Sequence, residues 1–166
     1  PPYGQRGEYA AEDTNPSYRE RAAYPYFMRR SFDMLVPGGL GVAIVPSGFL
    51  TGERNRELRG RILARHHLAA AFRLPSHLPS GREVFPGASV VVDVLFFRSR
   101  GGELSAIDEA DRFILDGKYF EHFPTHVLGT PEGEFAAGET GEEDKPKRHW
   151  RYKVVGEFAG IPDFEE

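Results

Sequence analysis

Residues 35–50 read LVPGGLGVAIVPSGFL, and the fold is read outward from them. Pro37-Gly38-Gly39 is a stop signal: proline presets the turn and glycine accepts the backbone reversal. GLGVAIV, residues 39–45, then reads as a short buried strand. Upstream, Tyr24, Phe27, Met28, Ser31 and Leu35 recur at helical spacing, with Arg29, Arg30 and Asp33 on the other side. Pro25 either kinks that helix or sits in the first turn of a second one. Downstream, Thr51 is a suitable N-cap and Glu53 suits a helix start, with Leu58, Ile62 and Leu63 as the apolar stripe of a helix over 53–66. LAAAFRL, residues 68–74, follows as a second strand. Strand, helix, strand at this spacing predicts a parallel unit with a right-handed crossover. Residues 75–87 form a loop, and SVVVDVLFFR, residues 89–98, is a third strand, β-branched and aromatic nearly throughout. No crossover helix precedes it, so it is expected antiparallel to its predecessor. Asp93 interrupts its apolar run, which calls for a sheet end or a buried partner.

The chain has 166 residues, 40% hydrophobic and 28% charged, enough for one packed domain with or without an appendage. Nineteen Gly and 13 Pro predict many loops. No apolar run reaches the roughly 18 residues a membrane helix needs, and no signal peptide opens the chain. Cysteine is absent, which excludes disulfides and thiolate metal sites and fits a cytoplasmic protein. The net charge of −4 divides unevenly. Residues 1–100 carry 14 Arg and no Lys against 9 acidic side chains, a formal +5. Residues 101–166 carry 7 Lys and Arg against 16 acidic side chains, a formal −9. Such a split suggests two parts with different partners.

Residues 1–16 are rich in breakers and read as a loop. Beyond Gly101 the pattern weakens. A short helix is expected over 106–114, a linker over about 129–148 and a late strand within 150–158. Two parts result: residues 1–102, and an acidic, loop-rich extension over 103–166.

Pro1-Pro2-Tyr3 opens the chain. After it come a breaker-rich loop, an aromatic-rich helix, LVPGGLGVAIVPSGFL, an Arg-rich helix, FRLP and REVFPGASVVVDVLFF. This ordered series resembles the second half of the adenine-specific (N6) DNA methyltransferases, whose catalytic motif is Asn-Pro-Pro-Tyr. The resemblance covers residues 1–100. Residues 116–129, DGKYFEHFPTHVLG, further resemble phage- or plasmid-borne methylase–helicases of the strawberry-notch-like type. The resemblance implies an α/β fold: a partial Rossmann-like methyltransferase sheet, mostly parallel, with its last strand antiparallel and inserted between two parallel ones.

The chemistry explains the motif. An exocyclic amine is a poor nucleophile, because its lone pair is delocalised into the ring. In the family, the Asn side chain and the first Pro carbonyl accept the amine hydrogens and aim its nitrogen at the sulfonium methyl of S-adenosylmethionine. Two prolines stiffen the loop and remove competing backbone donors. By resemblance, Pro1 and Pro2 position the amine and Tyr3 stacks on the flipped base, worth about 1–3 kcal/mol. Phe85, in EVFPGAS, looks like the second aromatic contact to that base.

The chain departs from the pattern in lacking the motif's Asn and the Gly-rich cofactor segment that precedes it in this family order. Gly39-Leu40-Gly41 enters its strand instead of following one, so it does not substitute. The expected partners are therefore DNA and the missing N-terminal half of the domain, with no membrane. This chain alone is expected to be inactive. Alternative readings are a methyltransferase for RNA or for a protein glutamine, and a degenerate binding module for DNA or protein. Arg54, Arg56, Arg59, Arg61 and Arg65 share one helix and are candidates to meet phosphates, Arg54, Arg56, Arg59 and Arg61 foremost. No metal site is expected: His66 and His67 project differently, and Pro124 interrupts the helix that would align His122 with His126. Ser47 lacks a recognisable acid and base partner, which rejects a hydrolase nucleophile.

Overall fold

Three strands carry the architecture of this computed structural model, which describes residues 12–20, 22–86, 90–101, 104–133 and 152–157. They are β1 (Leu40–Pro46), β2 (His66–Arg73) and β3 (Val92–Ser99), in the order β1-β3-β2. β3 pairs antiparallel with both neighbours. A second sheet pairs β4 (Thr130–Glu132) antiparallel with β5 (Lys153–Val155).

The expectation of a mostly parallel, Rossmann-like sheet is therefore overturned. Both sheets among the described residues are antiparallel throughout, in a small mixed α/β arrangement. The physical reason lies in β3. β1 and β2 run the same way, but β3 separates them and takes up the ladder bonds on both of their inner edges. Direction shared along the chain is thus not pairing in the sheet.

Helix α1 (Ala23–Asp33) packs on β1. Pro25 is its third residue, where a missing amide costs no intrahelical bond. Met28 and Phe32 are its buried face. Gly41 lets the helix approach: a Cβ there would lie 2.7 Å from the Phe32 ring and 2.8 Å from Leu35. After β1 come α2 (Gly48–Thr51), a 3-10 turn over Glu53–Asn55, and α3 (Arg56–Leu63). Thr51, expected as an N-cap, is instead the last residue of α2, and its hydroxyl donates to the Ser47 carbonyl at 2.9 Å. Burial of Phe49 and Leu50 draws these residues into a helical turn before the cap position is reached.

The core lies on one face of the main sheet. Met28, Phe32, Val45, Phe49, Leu50, Leu58, Ile62, Leu63, Leu95 and Phe97 form one cluster, joined by Ile114 and Tyr119 from beyond residue 103. The last two come from α4 (Arg112–Leu115) and α5 (Tyr119–His122). A register shift between Leu68 and Ala70 reverses the alternation of β2. It turns Ala71 and Arg73 onto the buried face, where both are buried. The opposite face is apolar and open along β1: Leu40, Val42 and Ile44 are 66%, 58% and 51% exposed. Within the stretch expected as a linker, residues 130–132 form β4, and residues 134–148 lie outside the described residues. No helix of the described residues is long and apolar enough to cross a membrane.

Candidate functional site

The carboxyl ends of β1 and β2 lie on either side of the start of β3, with Val45 and Arg73 both opposite Asp93. Ligands of open α/β sheets collect at such strand ends. The Arg73 guanidinium donates through Nε to Asp93 Oδ1 at 2.7 Å and through Nη2 to Oδ2 at 2.9 Å. Nη2 also donates to the Ser47 carbonyl at 3.0 Å, and Nη1 to the Tyr152 hydroxyl at 3.3 Å. The guanidinium carbon sits 4.2 Å from the Phe120 ring centroid, a cation–π contact. Burial pushes the Asp93 carboxyl up to about 6, because loss of water outweighs the attached guanidinium. For Arg73, burial works against the charge, but the hydrogen bond and the charge of Asp93 hold its pKa above the usual range. Arg73, Phe120 and Tyr152 line a cleft of about 350 Å³ together with Thr51 and Glu121.

The loop after β2 carries Phe85, which is half-buried. Its residues are tied back on themselves by an isolated antiparallel bridge between His77 and Glu83. Leu78 N donates to the Arg82 carbonyl at 2.8 Å, and Val84 N to the Ser76 carbonyl at 2.9 Å. Pro1, Pro2 and Tyr3, the other residues singled out for catalysis, lie outside the described residues.

The arginines of α3 and its approach separate into two kinds. Arg54 is exposed. Arg56 and Arg61 are exposed and line a groove of about 650 Å³ with Arg29 and Arg65. They carry acidic partners there: Arg56 bonds Asp116 at 3.0 Å, and Arg61 reaches Glu20 at 2.9 Å. Arg59 is 1% exposed, and its guanidinium faces inward. It donates to the carbonyls of Phe49 at 2.6 Å, Gly52 at 2.7 Å and Leu115 at 2.9 Å. Burial pushes its pKa down. Arg59 thus ties α2, α3 and α4 together.

Several buried polar residues escape a motif-based reading. Tyr119 accepts the Ala71 amide at 2.9 Å and shares a 3.0 Å hydrogen bond with His126 Nδ1. His66 Nε2 bonds Asp33 at 2.8 Å. Burial opposes the Asp33 charge, but bonds from His66 and Tyr18 hold its carboxyl below the usual range. His122 and His126 face rings, Phe113 at 4.3 Å and Phe72 at 4.7 Å. Among the described residues, His67, Asp108 and Asp111 bring their ligand atoms within 4.8 Å of one another. Arg100 already approaches both carboxylates, at 3.7 and 4.0 Å. The one signal in the sequence was Asp93, a charge inside an apolar strand that demands a partner.

The described residues do not fit S-adenosylmethionine. The acid at the strand ends, Asp93, is 0% exposed and bound on both oxygens by Arg73, so it offers nothing to a ribose hydroxyl. The turn leaving β1 is closed by Arg73 on the Ser47 carbonyl, and Phe49 and Leu50 are buried beneath it.

Comparison with known proteins adds two resemblances to this geometry. The chain is 31% identical over 147 residues, 81% of its length, to the Defense against restriction protein B of Escherichia phage P1. It spans 6% of the length of that protein. Residues 1–77 match the Eco57I restriction-modification methylase family, and this match supports a methyltransferase-like protein of the restriction-modification type.

Proposed function

We propose that this chain is the catalytic-loop part of a DNA adenine-N6 methyltransferase that acts within a longer protein. The carrying observation is the family match over residues 1–77, which runs from the Pro-Pro-Tyr triplet through β2. In this reading Pro1 and Pro2 hold the adenine amine, Tyr3 stacks on the flipped base, and Phe85 contacts its other side. Arg54, Arg56 and Arg61 meet the phosphate backbone, while Arg59 serves the interior. S-adenosylmethionine is the methyl donor this reading requires, and the residues that hold it lie in the remaining part of the domain. The same part covers the exposed apolar face of Leu40 and Val42 on β1. The reaction then takes place in the cytoplasm, on DNA.

The test is methyl transfer by the full-length protein that carries this chain, with DNA, RNA and protein substrates and with identification of the methylated product. Methylated adenine in DNA, lost on Tyr3→Ala, is the expected result. Methyl groups found only on RNA or on glutamine, or activity untouched by Tyr3→Ala, overturn the proposal.

A further inference from the structure

The acidic extension has no task in the proposed reaction. We infer that β5 positions the loop that carries Phe85, acting through Ser76, so that the extension is part of the base-binding machinery. This inference rests on the proposed role of Phe85.

Ser76 is buried, and it joins three segments of chain. Its amide donates to the Val154 carbonyl at 2.8 Å, and the Val154 amide donates back to its hydroxyl at 3.1 Å. The neighbouring His77 amide donates to the same Val154 carbonyl at 3.1 Å, and Gly156 N donates to the His77 carbonyl at 3.1 Å. On its other side, the Ser76 carbonyl accepts the amide of Val84, the residue before Phe85. A continuous path of backbone bonds therefore runs from β5 through Ser76 to Val84, the residue before Phe85. Val154 itself is fully buried, so β5 is held in place. β4 holds it from the outside, through the pairs Thr130–Val155, Pro131–Val154 and Glu132–Lys153.

The physical need is clear. A surface loop with few buried contacts of its own samples many conformations. A ring that must meet a base taken out of the stack has to be held to within about 0.5 Å. The core cluster among the described residues does not include Phe85. The clamp by β5 supplies the order that packing does not.

Two variants attack the clamp from opposite sides. Ser76→Ala removes the acceptor of the Val154 amide. Gly129→Ala leaves residues 75–86 untouched but strikes β5: Gly129 has φ +149°, and a Cβ there would lie 2.5 Å from the Val155 carbonyl oxygen. Both are made in the full-length protein. Amide hydrogen exchange at Ser76, His77 and Val84 reads the clamp. Fluorescence of 2-aminopurine, placed in duplex DNA at the adenine the wild type methylates, reads base flipping.

Each variant is expected to speed exchange at Val84 about tenfold. Each is also expected to reduce the 2-aminopurine rise by at least about half, with KM for DNA raised more than kcat is lowered. Ser76→Thr, which keeps the hydroxyl, should restore both signals. Unchanged exchange at Val84 in Ser76→Ala overturns the clamp. Faster exchange with unchanged flipping overturns the positioning role. A wild type that protects Val84 yet flips no base sinks the proposed function of Phe85 instead, so the two failures are told apart.

Discussion

The two outer strands of the main sheet meet their surroundings in opposite ways. The outer edge of β2 is covered: Tyr119 takes the Ala71 amide, Leu128 N donates to the Arg73 carbonyl at 2.9 Å, and Val127 bridges Arg73 in parallel. Strand β1 is the other outer strand among the described residues, and it turns Leu40 and Val42 outward at 66% and 58% exposure. Edges in globular proteins are normally shortened, charged or covered. The β2 edge follows that rule by means of the acidic extension. The apolar face that β1 exposes is covered only if further chain packs there, as the proposed function requires.

The largest effect is expected at Arg73. Arg73→Ala strands the buried Asp93 carboxylate and releases Ser47, Phe120 and Tyr152 together. A loss of about 3–5 kcal/mol is expected, measured by urea unfolding at neutral pH. A change under about 1 kcal/mol would mean that Arg73 does not join the extension to the sheet. Tyr119→Phe is the next largest: it leaves the Ala71 amide buried without its acceptor and should cost about 1–3 kcal/mol. Faster exchange confined to β2, with β1 unaffected, would confirm which edge the extension guards.

Asp93 sharpens the same contrast through pH. Its carboxyl stands at about 6 in the folded chain against 3.8 as a free side chain, so the folded state binds the extra proton between those values. The contribution of Asp93 to stability is therefore full below about 4 and is lost as pH rises through about 6. Asp93→Asn should flatten that part of the stability curve, and an unaltered slope would refute the assignment. The smallest effect is expected at β1. Val42→Lys lies on the exposed face and should change stability by no more than about 0.5 kcal/mol while reducing self-association of the isolated chain in light scattering. A large loss of stability would mean that Val42 is already covered.

Local features of the fold were open to reading. β3 is legible because Val92, Val94, Leu95, Phe96 and Phe97 form an apolar, largely β-branched and aromatic run, interrupted by Asp93, whose physical use is a buried strand. β1 and α3 are legible from proline and glycine punctuation and from the spacing of Leu58, Ile62 and Leu63. The parallel expectation failed because strands that run the same way need not pair: β3 takes the ladder bonds of both β1 and β2. Arg59 illustrates the limit for the site. It shares a helix and a residue type with Arg56 and Arg61, but its position on α3 turns it under α2 and α4. A one-dimensional pattern cannot separate a phosphate contact from a guanidinium that satisfies buried carbonyls.

By itself the sequence determined the three strands of the main sheet, helices α1 and α3, the uneven charge and the methyltransferase-like order of motifs. These are written in short windows, where periodicity and turn chemistry act locally. Only the tertiary structure decided that Arg73 meets Asp93 across 20 residues, and that Ser76 meets Val154 across 78. Such contacts arise because burial forces polar groups to find partners wherever the chain brings them, and nothing in the local pattern records which partner that will be.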